Sequence, residues 1–180
     1  VLDLHRVERR PCLASQRFDQ LAVTVLQLEV APVGAVLALT RQKLKPARLT
    51  YSAENLCAKG AYEIASSDKK TDVVIFASGS EVEIAIAAKA KLDAAGKPTR
   101  VVSVPSMENF AAQDKAYQAK VLGTEKHRIA IEAGVRTGWD RFIGIDGTFI
   151  GMTGFGASAP AEQLYEHFGI TADAAVKAAG

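Results

Sequence analysis

The sequence lacks the features of a membrane, secreted or zinc-binding protein. No apolar run is long enough to span a bilayer, and the first residues do not form the charged, apolar and cleavage regions of a signal peptide. Cysteine is scarce: Cys12 and Cys57 fit neither zinc-ligand nor CxxC spacing. We therefore expect a protein of the reducing cytoplasm, with no membrane contact and no metal site of its own.

Catalytic and nucleotide-binding motifs are missing as well. The sequence contains no GxGxxG and no P-loop, and its histidines have no serine, cysteine and carboxylate at the spacing of a triad or a metal site. A net charge of +2 over 180 residues gives no sign of a nucleic-acid partner. We expect no nucleic acid to bind, and we assign no catalytic residue and no metal ligand.

What the sequence does contain, from Val73 onward, is an alternation of short β-branched apolar runs with helical patterns. This alternation predicts a parallel α/β sheet. Strands are predicted at 60–64, 73–77, 100–104, 128–132 and 148–152. Helices are predicted at 81–92 behind a Ser80/Glu83 capping box, near 113–121, at 161–168 with Pro160 in the first helical position, and at 172–178 behind Thr171.

One turn has the composition of an anion site. Ser78, Gly79 and Ser80 join a predicted strand to a helix N-terminus, where free N–H groups and the helix dipole favour negative charge. Capping of the helix by Ser80 and Glu83 explains the same residues without a ligand, and Glu81 would repel an anion. The sequence therefore favours helix capping here and leaves an anion site as the alternative.

Five segments carry a family resemblance. In this order and at these intervals they are similar to the C-terminal third of transketolase, the thiamine-diphosphate enzyme that moves two-carbon ketol units between sugar phosphates. The resemblance extends from roughly Val36 to Ala178. The segments are 39–42 (LTRQ), 77–83 (ASGSEVE), 102–106 (VSVPS), 131–134 (IEAG) with Trp139, and 151–162 (GMTGFGASAPAE).

The resemblance implies a fold and a domain organisation. The fold is a three-layer α/β/α domain at 57–180, with a mostly parallel five-stranded sheet whose edge strand, at 60–64, is antiparallel. Residues 1–56 would be an atypical segment that holds a remnant of the preceding pyrimidine-binding domain at 36–42 and a linker. Residues 1–33 do not resemble the family, and the resemblance begins abruptly. We expect the remnant strand at 36–40 to have no partner strand.

The resemblance also implies site residues and partners. Arg41, in the LTRQ segment, would bind the terminal phosphate of a sugar substrate, a role suited to the fork of donors on a guanidinium. Ser78, Gly79 and Ser80 would face Gly134 across the crevice at the strand ends. Thiamine diphosphate and Mg²⁺ (or Ca²⁺) would be bound by upstream parts of a parent homodimer, and this chain alone would bind neither and be inactive. The alternative function is a stand-alone module that binds a small anion or nucleotide in the crevice.

Overall fold

The computed structural model of the chain describes residues 23–25, 37–39, 42–48 and 51–180. The first two stretches are strands β1 (Val23–Val25) and β2 (Leu37–Leu39), which pair antiparallel with Val23 opposite Leu39. A strand was expected at 36–40, and one is present. The expectation that it has no partner is wrong, because a strand from the N-terminal segment supplies its hydrogen bonds.

The main sheet has five strands in the order β3-β5-β4-β6-β7. Strand β4 is parallel to both β5 and β6, and β7 is parallel to β6. Strand β3 lies at one edge and runs antiparallel to β5. This confirms the expected mostly parallel sheet with one antiparallel edge strand. The bounds are β3 (Tyr62–Ser66), β4 (Val73–Ala77), β5 (Thr99–Ser103), β6 (His127–Glu132) and β7 (Thr148–Gly151).

Helices follow most of the strands. A 3-10 turn (Leu56–Lys59) leads into β3, and the helices are α1 (Glu81–Ala94), α2 (Met107–Ala111), α3 (Lys115–Leu122), α4 (Asp140–Ile143), α5 (Ala161–His167) and α6 (Ala172–Ala178). Thr171 caps α6 as predicted, since its side chain accepts a hydrogen bond of 3.2 Å from the N–H of Ala174. The predicted capping box at α1 is wrong: the Ser80 side chain makes no capping hydrogen bond.

The two faces of the sheet carry separate cores. Alternate residues of a strand point to opposite faces, so Val73, Ile75 and Ala77 pack with α1 and α6 in one core cluster. Val74 and Phe76 belong to a second cluster on the other face, with Phe110 and Phe142. Helices therefore cover both faces, which is the expected three-layer arrangement.

The topology creates a crevice between β4 and β6. The chain leaves β4 through α1 to β5 on one side, and it then leaves β5 through α2 and α3 to β6 on the other side of β4. The connections thus diverge at the carboxyl ends of β4 and β6. In open α/β sheets, ligands bind at this kind of switch point.

Candidate functional site

The crevice at the switch point holds a serine and a glutamate in contact. Ser78 directly follows β4, and Glu132 is the last residue of the neighbouring strand β6. Parallel pairing places Ala77 opposite Ile131, so the two residues that follow are brought together. The Ser78 hydroxyl donates a hydrogen bond of 2.5 Å to a carboxylate oxygen of Glu132.

Glu132 is a perturbed acid. Burial raises the pKa of its carboxyl from 4.5 to about 7, and the negative charge of Glu81 adds to this rise. The hydrogen bond from Ser78 acts in the opposite direction because it stabilises the carboxylate. The net result is a group in the crevice that exchanges a proton near neutral pH.

A second carboxylate belongs to Glu81, the first residue of α1, which is only 4% exposed. The Tyr165 hydroxyl, on α5, donates a hydrogen bond of 2.5 Å to Glu81. Ser80 lies within hydrogen-bond distance of both groups, at 3.0 Å from Glu81 and 3.1 Å from the Tyr165 hydroxyl. Burial raises the pKa of Tyr165 to about 12, and its bond to Glu81 adds to the rise, whereas the contact with Ser80 opposes it.

The structure places most of the site residues predicted from the sequence at the carboxyl ends of β4 and β6. Ser78 and Ser80 flank Gly79, whose φ of +50° lies in the left-handed region. Gly134 neighbours Glu132: its carbonyl accepts from the N–H of Met152 at 2.8 Å, and a β-carbon at Gly134 would lie 3.3 Å from the Glu132 side chain. Arg41 lies outside the described residues.

The hydroxyls of the predicted anion site already bind carboxylates. Ser78 is bonded to Glu132, and Ser80 contacts Glu81. An anion entering this crevice would meet two acidic side chains, so the charge in the crevice does not favour anion binding. What the arrangement can do is hold a proton on the buried carboxyl of Glu132, with the Ser78 hydroxyl as its hydrogen-bond partner.

Sequence reasoning missed Tyr165. A tyrosine in a seven-residue helix gives no pattern that separates a polar contact from a core position, and its partner Glu81 is 84 residues away in sequence. Glu132 was recognisable as a carboxylate at a strand end, but its partner Ser78 was not, since that pairing depends on strand order.

Among the described residues, no helix is both long and apolar enough to cross a membrane.

The family model of the transketolase-like C-terminal domain matches residues 60–171. A transketolase of Sinorhizobium medicae is 56% identical over 140 residues, which is 77% of this chain and 20% of that protein. Transketolase 1 of Vibrio parahaemolyticus is 42% identical over 171 residues, 94% of this chain and 25% of that protein. A solved structure of transketolase from Pichia stipitis, in complex with sedoheptulose 7-phosphate, is 30% identical with a TM-score of 0.68 and covers 78% of this chain and 20% of that chain.

These matches refine the sequence analysis in one respect. The Vibrio alignment covers 94% of this chain, more than the stretch from Gly34 to Gly180 can supply, so similarity extends into the N-terminal segment. The expected abrupt start of the resemblance is therefore wrong. The chain spans about a fifth to a quarter of the length of the curated relatives. With a family model over most of its length and the expected five-stranded sheet, the chain belongs to the transketolase family and contains that family's C-terminal domain.

Proposed function

We propose that this chain is the C-terminal part of a cytoplasmic, homodimeric transketolase, which transfers a two-carbon ketol unit between sugar phosphates. In this proposal the chain contributes dimer structure and Arg41, and it is not catalytically competent alone. The observation that supports it most directly is the family match over 60–171, together with an identity of 56% to a transketolase. The family model is that of the C-terminal domain, and the aligned region is 20% of the length of that transketolase.

Arg41 is the residue proposed to touch substrate. It stands in the LTRQ segment that resembles the family's phosphate-binding motif. A guanidinium keeps its charge and offers paired donors to phosphate oxygens, which suits a phosphorylated sugar. The Pichia stipitis relative was solved with such a sugar, sedoheptulose 7-phosphate.

The cofactor and its metal are assigned to the rest of the parent enzyme. Within the part of the chain that the structure describes, no three His, Cys, Asp or Glu side chains come together to hold a metal ion. The crevice at the strand ends presents carboxylates to any diphosphate. Because carboxylates repel a diphosphate, these residues do not fit thiamine diphosphate. The same acidic crevice gives no support to the alternative of a stand-alone anion or nucleotide module.

The proposal can be tested in a chimera. The corresponding C-terminal part of the Sinorhizobium medicae transketolase would be replaced by this chain, and Arg41→Ala introduced. Loss of a charge-assisted contact costs about 1.5–3 kcal/mol, so kcat/KM for phosphorylated acceptors should fall by about one to two decades. Unphosphorylated acceptors should be nearly unaffected.

Two controls accompany this measurement. Lys43→Ala removes an exposed cation two residues away and should leave kcat/KM within about twofold for every acceptor. The chain alone, supplied with thiamine diphosphate, Mg²⁺ and both sugar phosphates, should show no turnover. Equal losses for phosphorylated and unphosphorylated acceptors in Arg41→Ala, or turnover by the chain alone, would contradict the proposal.

A further inference from the structure

A cavity of about 700 Å³ lies beside the edge strand β3, between that strand and helix α3. Its lining includes Thr71, just before β4, Arg100, near the start of β5, and Glu125, just before β6. These positions are at the amino ends of the parallel strands, whereas the crevice that contains Glu132 is at their carboxyl ends. The volume is that of an ordinary ligand pocket, about 300–1,000 Å³. The cavity is therefore a second place where a small molecule could bind.

One wall of the cavity is a buried ion pair with unused donors. The side chain of Arg100 is 6% exposed, and its Nε and Nη2 donate to the carboxylate of Glu125 at 2.5 and 3.0 Å. The hydroxyl of Thr71 donates to the same carboxylate at 2.9 Å. The remaining nitrogen of the guanidinium, Nη1, makes no hydrogen bond to the described residues, and an oxygen of Glu63 lies 3.8 Å away, too far for one. The N–H groups of Nη1 are therefore available to a ligand in the cavity.

The backbone beside the pair leaves room for it only because residue 123 is glycine. The φ of Gly123 is +64°, and a β-carbon there would lie 2.2 Å from Nη2 of Arg100 and 2.2 Å from a carboxylate oxygen of Glu125. A side chain at this position would displace the pair. The guanidinium is thus held in place before any ligand arrives, which reduces the entropy lost when one binds.

Three lysines give the cavity an excess of positive charge. Lys69 and Lys70 lie in the loop between β3 and β4, and Lys120 lies on α3. Among the described residues, these three form no ion pair within 4.0 Å. The other charges nearly cancel: Lys59 is bonded to Glu54 at 2.6 Å, and the buried pair carries one charge of each sign. A single further carboxylate, 3.8 Å from Nη1, opposes the lysines, so an anion with several charges is favoured.

From this geometry we propose that the cavity binds the phosphate chain of a small polyphosphate, inorganic or part of a nucleotide, through Nη1 of Arg100 and the three unpaired lysines. An ammonium group neutralises phosphate as a point charge, and a guanidinium offers donors in a fixed plane. The site differs from the crevice, where two carboxylates oppose an anion. It does not depend on the proposed phosphate contact of Arg41.

The test is a titration of the full chain with sodium tripolyphosphate, followed by ¹H–¹⁵N NMR. The ionic strength is kept at about 50 mM to limit screening of exposed charges. Saturable shifts are expected at the backbone amides around the cavity, among them Thr71, Arg100 and Gly123. The amides of Ser78 and Gly79, at the other end of the strands, should not shift.

A triple variant tests the lysines. Each exposed charge contact contributes about a factor of two to five, so Lys69→Gln, Lys70→Gln and Lys120→Gln together should raise the Kd at least about tenfold.

A matched triple variant controls for the loss of net charge. Lys43→Gln, Lys45→Gln and Lys115→Gln remove the same charge from exposed positions that do not line the cavity. Together they should change the Kd by less than about twofold.

Arg100→Lys tests the buried guanidinium at constant net charge. A single ammonium group bonded to Glu125 has no second arm to reach the ligand, so the Kd should rise about three- to tenfold. Urea unfolding checks that this variant is folded. Should it fail to fold, the two triple variants still decide the outcome.

Shifts that do not saturate, or equal weakening in the two triple variants, would overturn the proposal, because attraction to positive charge in general would then explain the binding. So would shifts centred on Ser78 and Gly79, or an unchanged Kd in folded Arg100→Lys. ATP carries the same triphosphate on a nucleoside. Affinity for ATP at least about tenfold above that for tripolyphosphate would support the proposal with a nucleotide as ligand, and equal or lower affinity would support it with an inorganic polyphosphate.

Discussion

Replacing Glu132 by Gln should remove a pH dependence from the stability of the domain. The folded-state pKa of Glu132 is about 7 and its ordinary value is 4.5. Between these two pH values the folded protein keeps a proton on Glu132 that the unfolded chain loses. The stability that this proton contributes is therefore fully present below pH 4.5 and is lost as the pH rises through 7. One pKa unit corresponds to about 1.4 kcal/mol, and with some screening by solvent the total loss is about 2–3 kcal/mol.

The measurement is urea unfolding at half-unit steps from pH 4.5 to 8.5, followed by the fluorescence of Trp139, the single tryptophan, which is 2% exposed. Between pH 5 and 8, the free energy of unfolding should fall by about 2–3 kcal/mol more in the wild type than in Glu132→Gln. The amide still offers Ser78 an oxygen but does not titrate. Glu162→Gln, at an exposed position, controls for the loss of a carboxylate. A difference between wild type and Glu132→Gln that stays constant with pH would refute the reasoning.

Other carboxyl groups whose protonation changes stability at acidic pH should not affect the comparison of wild type with Glu132→Gln. Burial alone would raise the pKa of Glu125, but the guanidinium of Arg100, bonded to it at 2.5 and 3.0 Å, outweighs burial and lowers it. A lowered carboxyl pKa contributes stability that is present above the ordinary value and lost as pH falls through the folded value. Because Glu125 is unchanged in the variant, its contribution does not enter the difference.

Two further predictions concern the backbone and the domain boundary. Gly60→Ala should cost about 3 kcal/mol in urea unfolding, since φ is +79° and a β-carbon would lie 2.2 Å from the Phe110 nitrogen. Gly96→Ala, with φ of +78° and nothing within 4 Å, should cost about 1 kcal/mol, and equal costs would refute the steric argument. A truncated chain of residues 52–180 should unfold cooperatively, because both core clusters draw mainly on residues after Gly60. A broad, non-cooperative transition would refute the proposed boundary.

Elements with strong local signals were predicted closely. Strand β4 has the predicted bounds because its five residues are all apolar and lie between polar turns. Helix α6 has the predicted bounds, and its first residue follows from the capping by Thr171. Strand β3 begins two residues later than predicted, since Gly60 takes a left-handed conformation that ends the preceding 3-10 turn. Helices α2 and α4, of five and four residues, are too short for an apolar period to show.

Two predictions at helix N-termini are wrong. Ser80 was predicted to cap α1, but its hydroxyl contacts Glu81 and Tyr165 instead. Pro160 was predicted as the first residue of α5, but its ψ of 139° keeps it outside the helix as the residue before Ala161. Propensity places such residues near a helix start, and the contacts of distant elements decide what the side chain does.

The contents of the crevice could not be predicted for the same reason. Its three polar contacts join residues 54, 84 and 85 positions apart, and no local pattern encodes such pairs. Strand ends of open α/β sheets are generic ligand positions, so the motif at Ser78 suggested an anion. In this chain, however, the carboxylates of Glu132 and Glu81 lie at the β4–β6 switch point and already accept hydrogen bonds from Ser78 and Tyr165. Their charge opposes the binding of the anion that the motif suggested.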